Sequence, residues 1–138
     1  MSGEGAAGAL AACVVAALRQ VAGLSQVSDG APIQAGDAHA VVETRPETDW
    51  GHKSGEGAEI RFAVLIRCGG EQPARARALS EQARRAVAEI GPECGDWRLV
   101  SLAMVRARTL PLGSAQDRRG GGPGWTGVTE YRARLLKA

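Results

Sequence analysis

Between Glu59 and Cys68 the chain alternates without a break, with Ile60, Phe62, Val64, Ile66 and Cys68 on one side and Glu59, Arg61, Ala63, Leu65 and Arg67 on the other. Successive side chains of a strand point to opposite faces, so this period predicts a strand with one core face and one mixed, charged face. Elsewhere the period lengthens. From Ala7 to Leu24, Leu10, Val14, Leu18 and Val21 recur at helical spacing, and alanines cover much of the remaining surface. That alanine-rich back would allow close packing against a second layer or another subunit. A second helix is predicted from Ala74 to Ile90, with Ala76, Leu79, Ala83, Val87 and Ile90 as its apolar stripe. Pro73 suits its first turn, where no N–H is needed, and Gly91-Pro92 stops it. Arg75, Glu81, Arg84, Arg85 and Glu89 fall mainly on its solvated side.

The remaining apolar runs are shorter or less regular. "HAVVETR" carries β-branched residues ahead of Pro46 and predicts a short strand. "SDGAPIQAGDA", from Ser28 to Ala38, has turn chemistry, with at most a short extended piece through Ile33. "WRLVSLAMVRARTL", from Trp97, places Leu99 on one face and Val100, Leu102 and Met104 on the other, a conflict that predicts a bulge or burial on both sides. In the last strand, Thr129, Tyr131, Ala133 and Leu135 oppose Glu130, Arg132 and Arg134. The order is helix, strand or strands, long strand, helix, then two strands. It predicts an α+β fold in a single domain over residues 1–138, a mainly antiparallel sheet with two helices packed on one face. Long loops are expected near 46–57 and 111–124, the second richer in glycine than a hairpin needs.

Composition refines this picture at three points. A chain of 138 residues suffices to bury about 68 per cent of its unfolded surface without a disulfide or metal staple. Nineteen glycines beside one Phe and one Tyr leave the core to Ala, Val, Leu and Ile. Cys13, Cys68 and Cys94 are odd in number and show no C-x-x-C spacing, which favours reduced thiols. The net charge of +2 argues for no nucleic-acid footprint by itself. "MSGEG" places an acid where a signal peptide wants a basic start, and the apolar run after it is too short to span a bilayer, so neither a targeting signal nor a membrane segment is expected.

Candidate chemistry is sparse. Asp49, His52 and Ser54 are the residue types of a hydrolase triad, but they crowd into one glycine-flanked loop without a rigid frame. His39 and His52 have no second His or Cys at metal-ligand spacing, so no metal is expected. "DRRGGGPGW" lacks the G-K-[ST] ending and the following helix of a phosphate loop. Glu43, Glu47, Asp49, Glu56 and Glu59 form the one concentration of carboxylates and define no acid/base pair. The reading is a non-enzyme with no catalytic residue and no cofactor, and a binding or architectural role rises by elimination.

Taken together, "ALAACVVAALRQVAGL", the "DGAP" turn, "AEIRFAVLIRC", "ARALSEQARRAVAEI", "LVSLAMVRARTL" and "GVTEYRARLL" resemble the tail-terminator, or tail-completion, family of long-tailed bacteriophages and phage-derived gene transfer agents. The likeness covers nearly the whole chain and lies in hydrophobic pattern rather than in a catalytic signature. Members commonly carry a Pro-aromatic pair where this chain has "AHAVVE", and a tighter basic turn where it has "DRRGGGPG". The resemblance implies a structural virion protein, a homo-hexameric ring that caps the head-proximal end of the tail tube. Its implied partners are the tail-tube protein, the head-side connector or stopper, and DNA that passes through the channel without sequence-specific binding; no membrane is involved. It implies assembly in the bacterial cytoplasm and residence afterwards in the neck of the particle. On this reading the loops are docking elements, with Trp50 as an apolar anchor and His52, Lys53, Arg118, Arg119 and Trp125 as further candidate interface residues. Two alternatives stay open, another connector ring (stopper or adaptor) and, more distantly, a small cytosolic ligand-binding or enzyme domain. A deep polar pocket with convergent ionisable groups would favour the last.

Overall fold

The strand predicted from strict alternation is the centre of the sheet. In the computed structural model, which describes residues 5–31, 37–51, 55–112 and 123–138, it runs as β3 over Gly57–Gly69. In chain order the elements are α1 (Ala6–Leu18), β1 (Gln26–Asp29), β2 (Ala38–Asp49), β3, α2 (Ala74–Ala88), β4 (Glu93–Cys94), β5 (Trp97–Pro111) and β6 (Gly124–Lys137). The six strands form one sheet in the order β1-β2-β3-β6-β5-β4. Every neighbouring pair is antiparallel except β1 with β2, which is parallel. The fold is α+β, as the order of elements predicts, and the sheet is mixed by that one short edge.

Both helices cover one face. Ile60, Phe62, Val64, Ile66 and Cys68 are all buried there, and across the ladder they meet Ala133, Tyr131, Thr129, Gly127 and Trp125 of β6. Phe62 and Tyr131 stack with ring centroids 4.9 Å apart, a contact of about 0.5–1.5 kcal/mol beyond the area it buries. From α2, Ala76, Leu79, Ala83 and Val87 enter this core, the stripe expected from the sequence, with Ile90 packed at its edge. From α1 come Leu10, Val14 and Leu18. This helix ends at Leu18, six residues before the expected Leu24; Val21 and Leu24 still reach the core from the turns that follow. Gly8, Ala12 and Ala16 form its exposed back.

Three register shifts decide which side chains reach that core. In β2, Thr44 pairs with Phe62 and Glu47 with Ile60, so Arg45 and Pro46 together oppose Arg61. Pro46 has no N–H for the ladder, and the bulge takes it without breaking the strand. β2 therefore continues to Asp49, beyond the short strand expected, and the first long loop reduces to the hairpin tip after Asp49. In β5, the ladder jumps between Leu99 and Ser101 and again between Met104 and Arg106. Val100 and Val105 are the extra residues. The first jump puts Leu99 and Leu102 on the same, helix-covered face, against Leu135 and Ala133, and so resolves the conflict in the sequence by a bulge. Burial on both sides does not occur: Val100, Met104 and Val105 are 43, 55 and 51% exposed. β1 overlaps only the start of the turn-rich region, whose expected extended piece through Ile33 lies outside the described residues, and β4 makes a two-residue hairpin arm before β5, with Gly95 (φ 58°) in its turn.

Candidate interaction surface

The face of the sheet turned away from the helices carries the charge. Paired residues share a face, so Arg61 stands beside Arg132, Arg67 beside Thr126, Arg134 beside Glu59, Arg106 beside Glu130 and Arg108 beside Val128. Arg106 Nε donates to Glu130 Oε2 at 2.7 Å, and Arg134 Nε donates to Glu59 Oε1 at 2.9 Å. The Arg106 hydrogen bond, with the charges of Arg106, Arg108 and Arg45 around it, holds the Glu130 carboxyl below its ordinary range. Glu59 is held down in the same way by Arg134 first, then by Arg132 and Arg61. Both carboxylates are ionised at neutral pH and already engaged. Arg61, Arg67, Arg108 and Arg132 form no ion pair among the described residues. The Nε atoms of Arg67 and Arg132 are buried there without a hydrogen-bond partner. A cleft of about 330 Å³ is lined by Arg45, Arg61, Val105, Arg106 and Glu130 together with Phe62 and Tyr131.

A second, apolar groove of about 530 Å³ lies between the end of α2 and β5, lined by Ile90, Pro92, Leu99, Leu102, Met104 and Tyr131 among others. Among the described residues β5 pairs on its outer side only with the two residues of β4, and the rest of that edge of the sheet is open. The groove holds no convergent acid and base. Arg84 is its one charged residue, and burial pushes the Tyr131 hydroxyl up to about 12.

The sequence-derived candidates do not meet in one place. Trp50, half-buried at the end of β2, binds Gly57 O through its backbone N–H at 3.1 Å, and the Arg134 guanidinium lies 5.4 Å from its ring centroid. It is an anchor partly spent within its own chain. Trp125 sits on the helix side of β6, half-buried, its Nε1 donating to Glu71 O at 3.2 Å. The two tryptophans stand at opposite ends of β3, roughly 40 Å apart along a strand of this length. His52, Lys53, Arg118 and Arg119 lie outside the described residues, as does Ser54 of the triad-like set; Asp49 accepts the Gly51 N–H at 2.9 Å as a turn residue. Sequence alternation gives β3 and β6 a charged face each, with Arg61, Arg67, Arg132 and Arg134 on them, but none of these arginines is among the candidate interface residues. Their signal is the repeat of Arg at every second position in "RAR" of both β5 and β6, hidden by a net charge near zero.

Among the described residues no group of His, Cys, Asp and Glu could hold a metal ion, and no helix is long and apolar enough to cross a membrane. No family model matches the chain, and no curated protein matches it in sequence. Its fold is similar to that of a chain in a solved structure described as "Virion of native gene transfer agent (GTA) particle", with a TM-score of 0.63 and 24% identity over 94% of this chain and 96% of that one.

Proposed function

We propose that this protein is a structural component of a phage-like particle, a tail-terminator subunit that closes into a homo-hexameric ring at the head-proximal end of a tail tube. The observation that carries the reading is the end-to-end likeness of fold to a chain of a gene transfer agent virion. The sequence resemblance to tail terminators, made on hydrophobic pattern, points the same way. The molecule's surfaces suit such a ring. A head-to-tail ring needs two different patches on each subunit, and the sheet has two different edges, β1 and the long open β5. The connections after β2 and after β5 leave from opposite ends of β3, where a tube on one side and a head-side connector on the other would be met. No acid/base pair or metal set among the described residues calls for chemistry, and the role needs none. On this reading DNA passes through the ring without sequence-specific contacts.

The test is native mass measurement of the protein alone and with purified tail-tube protein. The expected outcome is a ring-sized homo-oligomer, alone or once tube protein is added, that stays bound to the tube. A stopper or adaptor would form a ring and leave the tube protein free. A monomer indifferent to tube protein at every concentration would defeat the ring reading altogether.

A further inference from the structure

The whole chain has a net charge of +2, but that charge is not spread evenly. On the face away from the helices, β3, β5 and β6 present Arg61, Arg67, Arg106, Arg108, Arg132 and Arg134 against Glu59 and Glu130. Arg45 and Glu43 beside them pair at 3.8 Å and offset one another. The carboxylates are satisfied by Arg106 and Arg134, which leaves Arg61, Arg67, Arg108 and Arg132 without ion pairs among the described residues. Two of these, Arg67 and Arg132, are half-buried with unpartnered Nε atoms. Such a surface is complementary to an anion supplied from outside the chain.

The layout selects the kind of anion. Backbone positions on one face repeat at about 4.8 Å across a sheet and about 6.8 Å along it, so arginines spread over three adjacent strands can engage several charges of one extended polyanion at once. The planar guanidinium fork matches phosphate oxygens in pairs. Single-stranded nucleic acid would call for aromatic rings on which bases stack. Among the described residues no exposed ring stands beside these arginines: Phe62 and Tyr131 reach the lining of the cleft but are buried and stacked on each other, Trp125 lies on the helix side, and half-buried Trp50, at the strand end, has the Arg134 guanidinium over its ring. An acidic protein partner would want a central aromatic anchor, and the residues beside the arginines on this face are small or aliphatic, Ala63, Leu65, Ala103 and Val128. The face of a sheet also offers no helix or protruding ribbon to enter a groove and read base edges. We infer that the polar face of this sheet binds the phosphate backbone of double-stranded DNA without regard to sequence. The inference rests on the charge pattern and not on the ring reading, and it can hold or fail independently of it.

The experiment is fluorescence anisotropy of a short labelled duplex with the isolated full chain, titrated across about 50 to 200 mM salt. Binding is expected at the low end and should weaken steeply with salt. Replacing Arg61→Ala together with Arg108→Ala, both exposed, should lower the slope of log affinity against log salt by about 2, one for each lost phosphate contact. Arg61→Lys with Arg108→Lys should keep most of the slope. An equal change of charge on α2, Arg77→Ala with Arg85→Ala, should leave it nearly unchanged, and circular dichroism establishes that all variants fold. Several results would overturn the inference: no binding at low salt, equal losses from the face and α2 pairs, or tighter binding to polyglutamate or single-stranded DNA than to duplex. Loss of the entire salt slope in Arg118→Ala with Arg119→Ala would also overturn it, since the arginines named on the face would then contribute nothing.

Discussion

Gly127 shows how one missing side chain sets the distance between layers. It lies on the helix-covered face of β6, opposite Ile66, and a Cβ there would collide with Ser80 Oγ of α2 and stand 3.2 Å from Ser80 Cβ. Ser80 is buried, and its hydroxyl has no hydrogen-bond partner among the described residues. Gly127→Ala should therefore destabilise the fold by about 1–3 kcal/mol through overpacking, less up to about 1 kcal/mol gained from a stiffer unfolded chain. Ser80→Ala should be close to neutral, because it removes an unsatisfied buried hydroxyl along with its contacts. The double variant should recover most of the loss, a positive coupling readable from urea denaturation of the four proteins. A Gly127→Ala protein as stable as the parent would show that α2 can lift away without penalty.

At the scale of an element, β5 stands apart. It is the longest strand, fifteen residues, it carries two bulges, and beyond β4 it leaves a ladder edge open with Val100, Met104, Val105 and Leu110 exposed. Isolated proteins blunt such an edge with charge, proline or a covering segment, because unpaired N–H and C=O groups invite another strand. Here the bulges twist the strand, yet apolar side chains remain at the surface. If a neighbouring subunit covers this edge, Val105→Lys should leave the monomer folded, since the side chain is 51% exposed, and shift self-association toward monomer by about tenfold or more, in line with a contact worth over 1 kcal/mol. Native mass against concentration measures it. An unchanged oligomer would move the contact elsewhere, to the exposed back of α1 or to the hairpin tip that carries Trp50.

For the whole molecule the alkaline response is led by two buried groups, with the Cys68 thiol, also raised by burial, adding to it in the same direction. The Tyr131 hydroxyl, ordinarily near 10, is raised to about 12 by burial. The Cys94 thiol, ordinarily near 9, is raised to about 12 by burial and by Cys13 beside it. Each is kept neutral by the fold while the unfolded chain would ionise, so its contribution is complete below the unfolded value and is lost as pH rises toward 12. Thermal stability should be level up to about pH 9 and decline between about 9 and 12. Tyr131→Phe should remove the part that begins near pH 10, on the order of 2 kcal/mol, while keeping the stack on Phe62. Asp37, Glu59 and Glu130 have the opposite sign: their arginine partners depress them, so their share is present above the ordinary carboxylate range and fades as pH falls below it. Since they lie at the surface, that acid limb should be shallow and sensitive to salt. A decline starting at neutral pH would contradict this assignment.

What the sequence determined by itself is what depends on near neighbours along the chain. The helical stripes of α1 and α2, the stop at Gly91-Pro92, the alternation of β3 and β6, and the choice of core face on each were legible because periodicity and breakers are local properties. The tertiary structure decided what depends on a partner strand. β1 and β4 are four and two residues long, too short for a periodic signal, and exist because β2 and β5 offer a ladder. Pro46 reads as an end to β2 until the bulge beside Arg61 takes it in. Val100 and Val105 look like core residues until register makes them the extra residues of bulges. The arginine face has the same origin: "RAR" in β5, "RAR" in β6 and Arg61 in β3 are separate polar positions along the chain, and only the order β3-β6-β5 lays them side by side. Local sequence sets which way each side chain points; strand order and register, settled by long-range pairing, set which charges stand together.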